Sequence, residues 1–217
     1  MSKKVAMVHT TLKALEAVKN HPQELEEFDV LHLLDDGLLR DLNAQGALTP
    51  ALIRRFCGLV AAAGESGPDV ILVTCSSYST CVEIAQKIVS VPVLAADGAM
   101  IDKIIANDWP RIMAVATVQG TIQPALTQLK KAADLAGKEI AVNYRVVPQA
   151  FEALKRGDRQ RHDQLILEAL SDIQATDVIM LCQFTMAHLE QKVMEQTGLN
   201  AVSSLSAALQ KVREVTQ

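Results

Sequence analysis

The sequence predicts an α/β fold in which a parallel sheet flanked by helices is built twice along the chain. Three observations predict it. Short apolar runs alternate with segments of helical spacing from end to end, as parallel strands joined by helical crossovers require. Two of those runs, Asp69-Val-Ile-Leu-Val-Thr-Cys75 and Asp177-Val-Ile-Met-Leu-Cys182, share an acidic residue, a continuous apolar stretch and a closing cysteine. A continuous apolar run is the mark of a strand buried on both faces. Finally, three anchors recur at nearly one spacing: Lys4–Val8 against Arg111–Val115 and Cys75 against Cys182 at an offset of 107, and Val91–Leu94 against Leu199–Val202 at 108. A shared offset points to internal duplication of β-α units.

Taken in order, Val5–Val8 reads as the first strand, followed by His9-Thr10-Thr11 and a helix from Leu12 to Asn20, which Thr10 or Thr11 can cap. Phe28–Leu34 reads as the second strand and ends in Asp35-Asp36-Gly37, where the two acids suit a solvated loop or a helix cap; a polar loop follows. Thr49-Pro50 marks a helix start, threonine at the N-cap and proline in the first helical position. Leu52, Phe56, Leu59, Val60 and Ala63 form its apolar stripe, and Gly64–Pro68 ends it. The third strand, Val70–Val73, leads to Cys75 and a helix expected to turn Cys81, Ile84, Ala85 and Ile88 to the core. Cys81 and Cys57 are read as buried structural thiols. Val91–Leu94 is the fourth strand, and Asp97-Gly98 opens a helix to Asn107.

The pattern then restarts. Arg111–Val115 is a strand, and Ala116-Thr117-Val-Gln-Gly120-Thr121 turns into a helix reaching Ala136. Glu139–Val147 is the next strand, a polar segment surrounds Arg156-Gly157-Asp158, and a helix runs from Gln160 to Ile173. Val178–Leu181 leads to Cys182 and a helix ended by Gly198, with His188 in a structural role. Leu199–Val202 is the last strand, and Ser203-Ser204 starts the terminal helix. The expected organisation is an N-terminal lobe of residues 1–96 plus 205–217 carrying Cys75, and a C-terminal lobe of residues 97–204 carrying Cys182.

Bulk composition narrows the partners. A chain of 217 residues with 49% hydrophobic and 21% charged residues has the make-up of an ordinary globular protein. Net charge is −4 with no basic stripe, and aromatics are only 3%, so neither a nucleic-acid surface nor a base-stacking platform is expected. The N-terminal apolar run is too short for a signal-peptide core, and no run approaches a membrane span, which predicts no membrane partner and a cytoplasmic location. The four cysteines should then be reduced thiols. With neither Cys-x-x-Cys nor His-Glu-x-x-His present, no metal site is expected.

The chemistry is expected where ligands bind in such sheets, beyond the carboxyl ends of the strands. Both Cys75 and Cys182 fall there, which places an active cleft between two similar lobes with one thiol on each side. A cysteine at a helix N-terminus is expected to favour the thiolate. Inverting a stereocentre beside a carboxylate needs a base on one face and an acid on the other, and a thiolate–thiol pair supplies both. Donors must also hold the carboxylate as the enolate forms; Ser76, Ser77, Thr117 and Thr185 are suited to that. His9 lies at the same edge as a possible aid to proton traffic.

Cys75-Ser-Ser-Tyr-Ser after an apolar strand, Ala116-Thr117-Val-Gln-Gly120-Thr121 after the strand that restarts the pattern, and the second strand with Cys182 together resemble the aspartate/glutamate/hydantoin racemase superfamily. The resemblance spans essentially the whole chain. It implies two pseudo-symmetric flavodoxin-like lobes, each with a parallel sheet of about four strands, cofactor-independent catalysis, Cys75 and Cys182 as the acid/base pair, Thr117 as a carboxylate-binding residue, and a homodimer. The chain departs from glutamate racemases in particular. They tend to carry Cys-Asn-Thr, Cys-Thr-His and Asp-Ser-Gly where this chain has Cys75-Ser76-Ser77, Cys182-Gln183-Phe184 and His9-Thr10-Thr11. Those differences point away from glutamate as substrate. The expected site is therefore Cys75 and Cys182, with Thr10, Thr11, Ser76, Ser77, Thr117, Thr121, Gln183 and Thr185 binding a small carboxylate-type or hydantoin-type substrate, and His9 assisting. The leading expectation is a two-thiol racemase or epimerase. A maleate isomerase-like or decarboxylase activity on the same scaffold, and a non-catalytic ligand-binding protein, are the alternatives.

Overall fold

The first apolar run forms β1 (Lys3–His9), whose side chains from Val5 onward are buried, so the strand lies at the centre of its sheet. In the computed structural model, which describes residues 2–217, α1 (Leu12–Lys19) follows, capped by Thr11, whose hydroxyl accepts from the Ala14 N–H. Next come α2 (Pro22–Leu25), β2 (Phe28–Leu34), α3 (Gly37–Gln45) and α4 (Pro50–Glu65). Thr49 caps α4 with Pro50 in its first turn. The unit continues through β3 (Val70–Val73), a 3₁₀ segment Ser76–Cys81, α5 (Val82–Ala85), a 3₁₀ turn Gln86–Ile88 and β4 (Val93–Ala95). All four strands are parallel, in the order β2-β1-β3-β4.

After α6 (Ala96–Ala106) the plan repeats: β5 (Arg111–Ala116), α7 (Gln119–Leu135), β6 (Ala141–Val146), α8 (Pro148–Lys155), α9 (Arg159–Leu170), β7 (Val178–Leu181), a 3₁₀ segment Phe184–Leu189, α10 (Glu190–Thr197), β8 (Asn200–Ser203) and α11 (Ser204–Val215). This second sheet is also four-stranded and parallel, in the order β6-β5-β7-β8. The chain divides into two compact units, Met1–Ala99 with Ala208–Gln217, and Met100–Ala207; Met1 itself lies outside the described residues. Among the described residues no helix is long and apolar enough to cross a membrane.

Each unit has its own core. In the first, Phe56, Val60 and Ala63 of α4 pack on Ile71 and Val73 of β3, with Leu59 half-buried at the margin. Tyr78 stacks on Phe56 with ring centroids 5.0 Å apart, and its buried hydroxyl donates to the Leu38 carbonyl over 2.9 Å. That bond ties the segment after β3 to α3. Tyr78→Phe removes that buried bond, while the Leu38 carbonyl keeps its place in the α3 ladder, and is expected to destabilise the fold by about 0.5–1.5 kcal/mol, read as a shifted urea midpoint at constant slope. In the second unit, Ile166 and Leu170 of α9 pack with Ile179 and Leu181 of β7 and with Met186 and Leu189.

Several local expectations are corrected. The polar loop after β2 contains α3, because Leu38 is fully buried and Leu42, four residues on, packs against the same core; Gly46, at φ 71°, closes that helix in the left-handed region. The polar stretch before Arg156 contains α8, started by Pro148. The apolar stripe expected after Cys75 does not hold. Cys81 and Ala85 are buried, but Ile84 and Ile88 are exposed, because the backbone passes from 3₁₀ to α and back to 3₁₀. The changing pitch breaks the period on which that stripe rested.

The duplication is also out of step by one residue. In the first unit the Lys4 N–H donates to the Asp69 carboxylate and the Thr74 N–H to the Val8 carbonyl. In the second the Arg111 N–H donates to Asp177 and the Cys182 N–H to Val115. Equivalent positions therefore lie 107 apart on the first strand of each pair and 108 apart on the other. Cys182 corresponds to Thr74, and Cys75 corresponds to Gln183. The equivalence of the two cysteines expected from sequence spacing is overturned, because hydrogen-bond register and not sequence offset defines which residues match.

Candidate active site

In each sheet the chain leaves the first strand for one neighbour and returns on its other side. The strand order therefore reverses between β1 and β3, and again between β5 and β7. The carboxyl ends at such a reversal are where open parallel sheets bind ligands. Thr10 follows β1 and Cys75 lies two residues beyond β3; Thr117 follows β5, and Cys182 and Gln183 follow β7.

At the first edge Cys75 is half-buried and stands in extended conformation before the 3₁₀ segment. Burial pushes its thiol up, the Thr10 hydroxyl and the N–H and hydroxyl of Ser77 oppose that shift, and the Asp97 carboxylate adds to it. Thr10 is fully buried beside the sulfur, yet its Oγ1 makes no hydrogen bond of good geometry. Thr11 uses its hydroxyl to cap α1. Ser76 is exposed and Ser77 half-buried. Ser79 donates to Asp97 over 2.5 Å, joining the 3₁₀ segment to the start of α6.

His9 is fully buried at the end of β1. Its Nδ1 lies 2.9 Å from the Thr74 hydroxyl and its Nε2 lies 2.9 Å from His32 Nδ1. Thr74 also donates to the Val8 carbonyl. The chain is consistent only if His9 Nδ1–H donates to Thr74 and His32 Nδ1–H donates to His9. Burial, then the His32 and Lys19 charges, hold His9 down at about 3. It is a neutral strut across β2, β1 and β3, ill-matched to the proton traffic expected of it. The sign of the pH effect follows. Above the ordinary value of 6.5 neither state is charged; below it the unfolded chain takes a proton that the folded one refuses, down to about pH 3. Folding stability should fall by about 2 kcal/mol between pH 7 and pH 5, at roughly 1.4 kcal/mol per unit below 6.5. Urea titrations at both pH values should show that loss, and His9→Asn should remove most of it.

At the second edge Thr117 is buried, and its N–H and hydroxyl both reach Gln183 Oε1, at 2.6 and 2.9 Å. Burial pushes the Cys182 thiol up to about 12, against a weaker opposing contact with the Val115 backbone. Its Sγ–H points to the Met180 carbonyl at 3.5 Å. Thr185 Oγ1 is buried and has no hydrogen-bond partner among the described residues. Thr121 is half-buried, with its N–H closing the turn onto the Val118 carbonyl. The segment carrying Thr185 is anchored from behind: His188 Nε2 meets Asp163 Oδ2 at 2.7 Å, and His162 Nδ1 meets Oδ1 at 2.8 Å. Burial would raise the Asp163 carboxyl, but those two imidazoles outweigh it and hold it well below the usual carboxylate range.

The structure thus brings Thr10 and Ser77 to Cys75, and Thr117 to Gln183. The expectation that helix N-termini would favour the thiolates is corrected: six-residue 3₁₀ segments follow the cysteines, and desolvation outweighs their donors. His32, Thr74 and Asp97 escaped the sequence reading as parts of the site. Thr74, adjacent to Cys75, carried a signal; His32 reaches the site only through strand register, opposite Met7. Among the described residues no three His, Cys, Asp or Glu side chains are grouped to hold a metal ion.

A family model described as Asp/Glu/Hydantoin racemase matches residues 7–212. A search of curated proteins finds no match. Among solved structures, an aspartate racemase homologue from Pyrococcus horikoshii OT3 superposes with a TM-score of 0.73 at 13% identity, covering 100% of this chain and 99% of the other. Unliganded arylmalonate decarboxylase gives 0.70 at 14% identity, covering 99% and 93%. Glutamate racemase from Francisella tularensis subsp. tularensis SCHU S4, in complex with D-glutamate, gives 0.65 at 14%, covering 99% and 81%. At these identities the solved structures show a shared fold and nothing finer.

Proposed function

The chain belongs to the Asp/Glu/hydantoin racemase family, and from that premise we propose that it is a cofactor-independent racemase or epimerase of a small carboxylate-type or hydantoin-type substrate. Cys75 and Cys182 exchange the proton at the carbon beside the carboxylate or carbonyl, one as thiolate and the other as thiol. The observation that carries the reading is a pair of buried hydroxyls that make no hydrogen bond of good geometry among the described residues, Thr10 beside the Cys75 sulfur and Thr185 three residues past Cys182. A buried hydroxyl left unmade costs roughly 1–3 kcal/mol, and a substrate oxygen would satisfy it. Hydroxyls and backbone N–H groups of this kind strengthen their bonds as an enolate oxygen gains charge. The same reading includes a homodimer in solution.

The test is a panel of small amino acids, hydantoins and dicarboxylates, assayed for loss of optical activity and for uptake of solvent deuterium at the α-carbon. Deuterium uptake with racemisation supports the reading; a panel without either sinks it. One observation favours a second reading. A Cys182 thiol pushed up to about 12 is well suited to deliver a proton to a carbanion, the step that completes a decarboxylation. Release of carbon dioxide from a malonate-type acid would distinguish it.

A further inference from the structure

The geometry points to Gln183 as the residue that grips a substrate oxygen in the second unit, with Thr117 acting only through it as a positioning residue. Thr117 presents two donors to one atom, its backbone N–H at 2.6 Å and its hydroxyl at 2.9 Å. A backbone N–H can only donate, so the amide atom facing it is the carbonyl oxygen, whatever orientation a side-chain amide might otherwise adopt. Both lone pairs of Oε1 are thereby occupied. The Nε2 group is turned the other way, and among the described residues no acceptor meets it. A half-buried Gln183 thus offers a fixed pair of N–H donors at the carboxyl edge of its sheet, next to Cys182.

Two features set this apart from a chance contact. Thr117 is 1% exposed, so swinging Gln183 aside would strand two buried donors. And the matching position in the first unit is Cys75, where the Thr10 hydroxyl faces a sulfur and has no acceptor of good geometry among the described residues. In the second unit Gln183 supplies that acceptor from within, so Thr117 does not bind substrate directly. The ligand group that fits Nε2 is a carboxylate or carbonyl oxygen. An ammonium group finds no free acceptor at this amide.

The inference rests on the racemase reading for the name of the ligand but not for the amide geometry, and two measurements separate them. In ¹⁵N–¹H spectra of the ligand-free chain, the Gln183 side-chain amide (identified by its loss in Gln183→Glu) should give two dispersed peaks. Thr117→Val, of the same shape, removes the hydroxyl donor and keeps the backbone N–H; it should move both peaks toward the positions of a solvent-exposed glutamine, and Thr117→Ser should restore them. An amide already at exposed-glutamine positions in the unmodified chain overturns the inference, whatever the activity; a fixed amide in a chain that racemises nothing keeps it and sinks the enzymatic reading. On a substrate that is turned over, Gln183→Glu replaces donor by carboxylate and should raise KM by about 10- to 100-fold, the worth of one charge-assisted hydrogen bond. Thr117→Val should raise KM with kcat nearly kept, and Thr117→Ser should recover it. Unchanged KM in Gln183→Glu would overturn the assignment.

Discussion

Cys75→Ala is expected to abolish racemisation, and Cys182→Ala to abolish it equally, each by a factor of roughly 10²–10⁴ or more, the usual share of a positioned acid or base. The reasoning is stoichiometric. One thiol must remove the proton and the other must return it from the opposite face, so neither half of the exchange completes the reaction alone. Solvent deuterium separates this from other thiol chemistry. With one thiol left as base, a variant could still wash deuterium into one enantiomer without producing the other. Full racemisation in either variant would end the two-thiol mechanism. Loss in Cys182→Ala alone, with Cys75→Ala active in carbon dioxide release, would move the protein to the decarboxylase reading. Cys57→Ala and Cys81→Ala serve as controls; their thiols pack on the core of the first unit.

Activity should climb with pH, by about tenfold per unit from pH 7 to pH 9, because the reaction needs one thiolate and both thiols hold their protons unusually tightly. The sign is set by burial. Desolvation disfavours the charged form, which raises a thiol pKa: Cys75 is pushed above its ordinary value of 9.0, and Cys182 to about 12. Below those values the thiolate fraction of the free protein falls tenfold per unit, and kcat/KM reports the free protein. The falling limb, where both thiols ionise, should lie beyond the range in which the chain stays folded. A profile flat between pH 7 and pH 9 would mean that a thiolate is already present, and that the Thr10 and Ser77 donors outweigh desolvation at Cys75.

Much of the site was legible as residue types at the ends of apolar runs. Cys75, Thr10 and Thr117 stand out in the sequence alone, because a polar residue that closes a buried strand lands at the sheet edge where ligands bind. Their division of labour was not legible. Thr11 and Thr10 are adjacent hydroxyls with equal claims; one caps α1 and the other is left without a partner, which depends on where the helix starts in space. Thr117 and Gln183 were both read as contacts to substrate, yet one spends its donors on the other.

The sequence by itself determined the alternation of strands and helices, the cap at Thr49, the repetition of the plan, and the placing of a thiol after the third strand of each half. These follow from local rules: apolar period, capping chemistry and proline geometry act over a few residues and need no partner. Tertiary structure alone decided the one-residue step that matches Cys75 to Gln183, the neutrality of His9, the high thiol pKa values and the exposure of Ile84 and Ile88. Each of those depends on which backbone lies alongside, how much water is excluded, or how the helical pitch changes along a segment. Offset in sequence is blind to register, and a thiol's willingness to ionise is set by its surroundings rather than by its place in the chain.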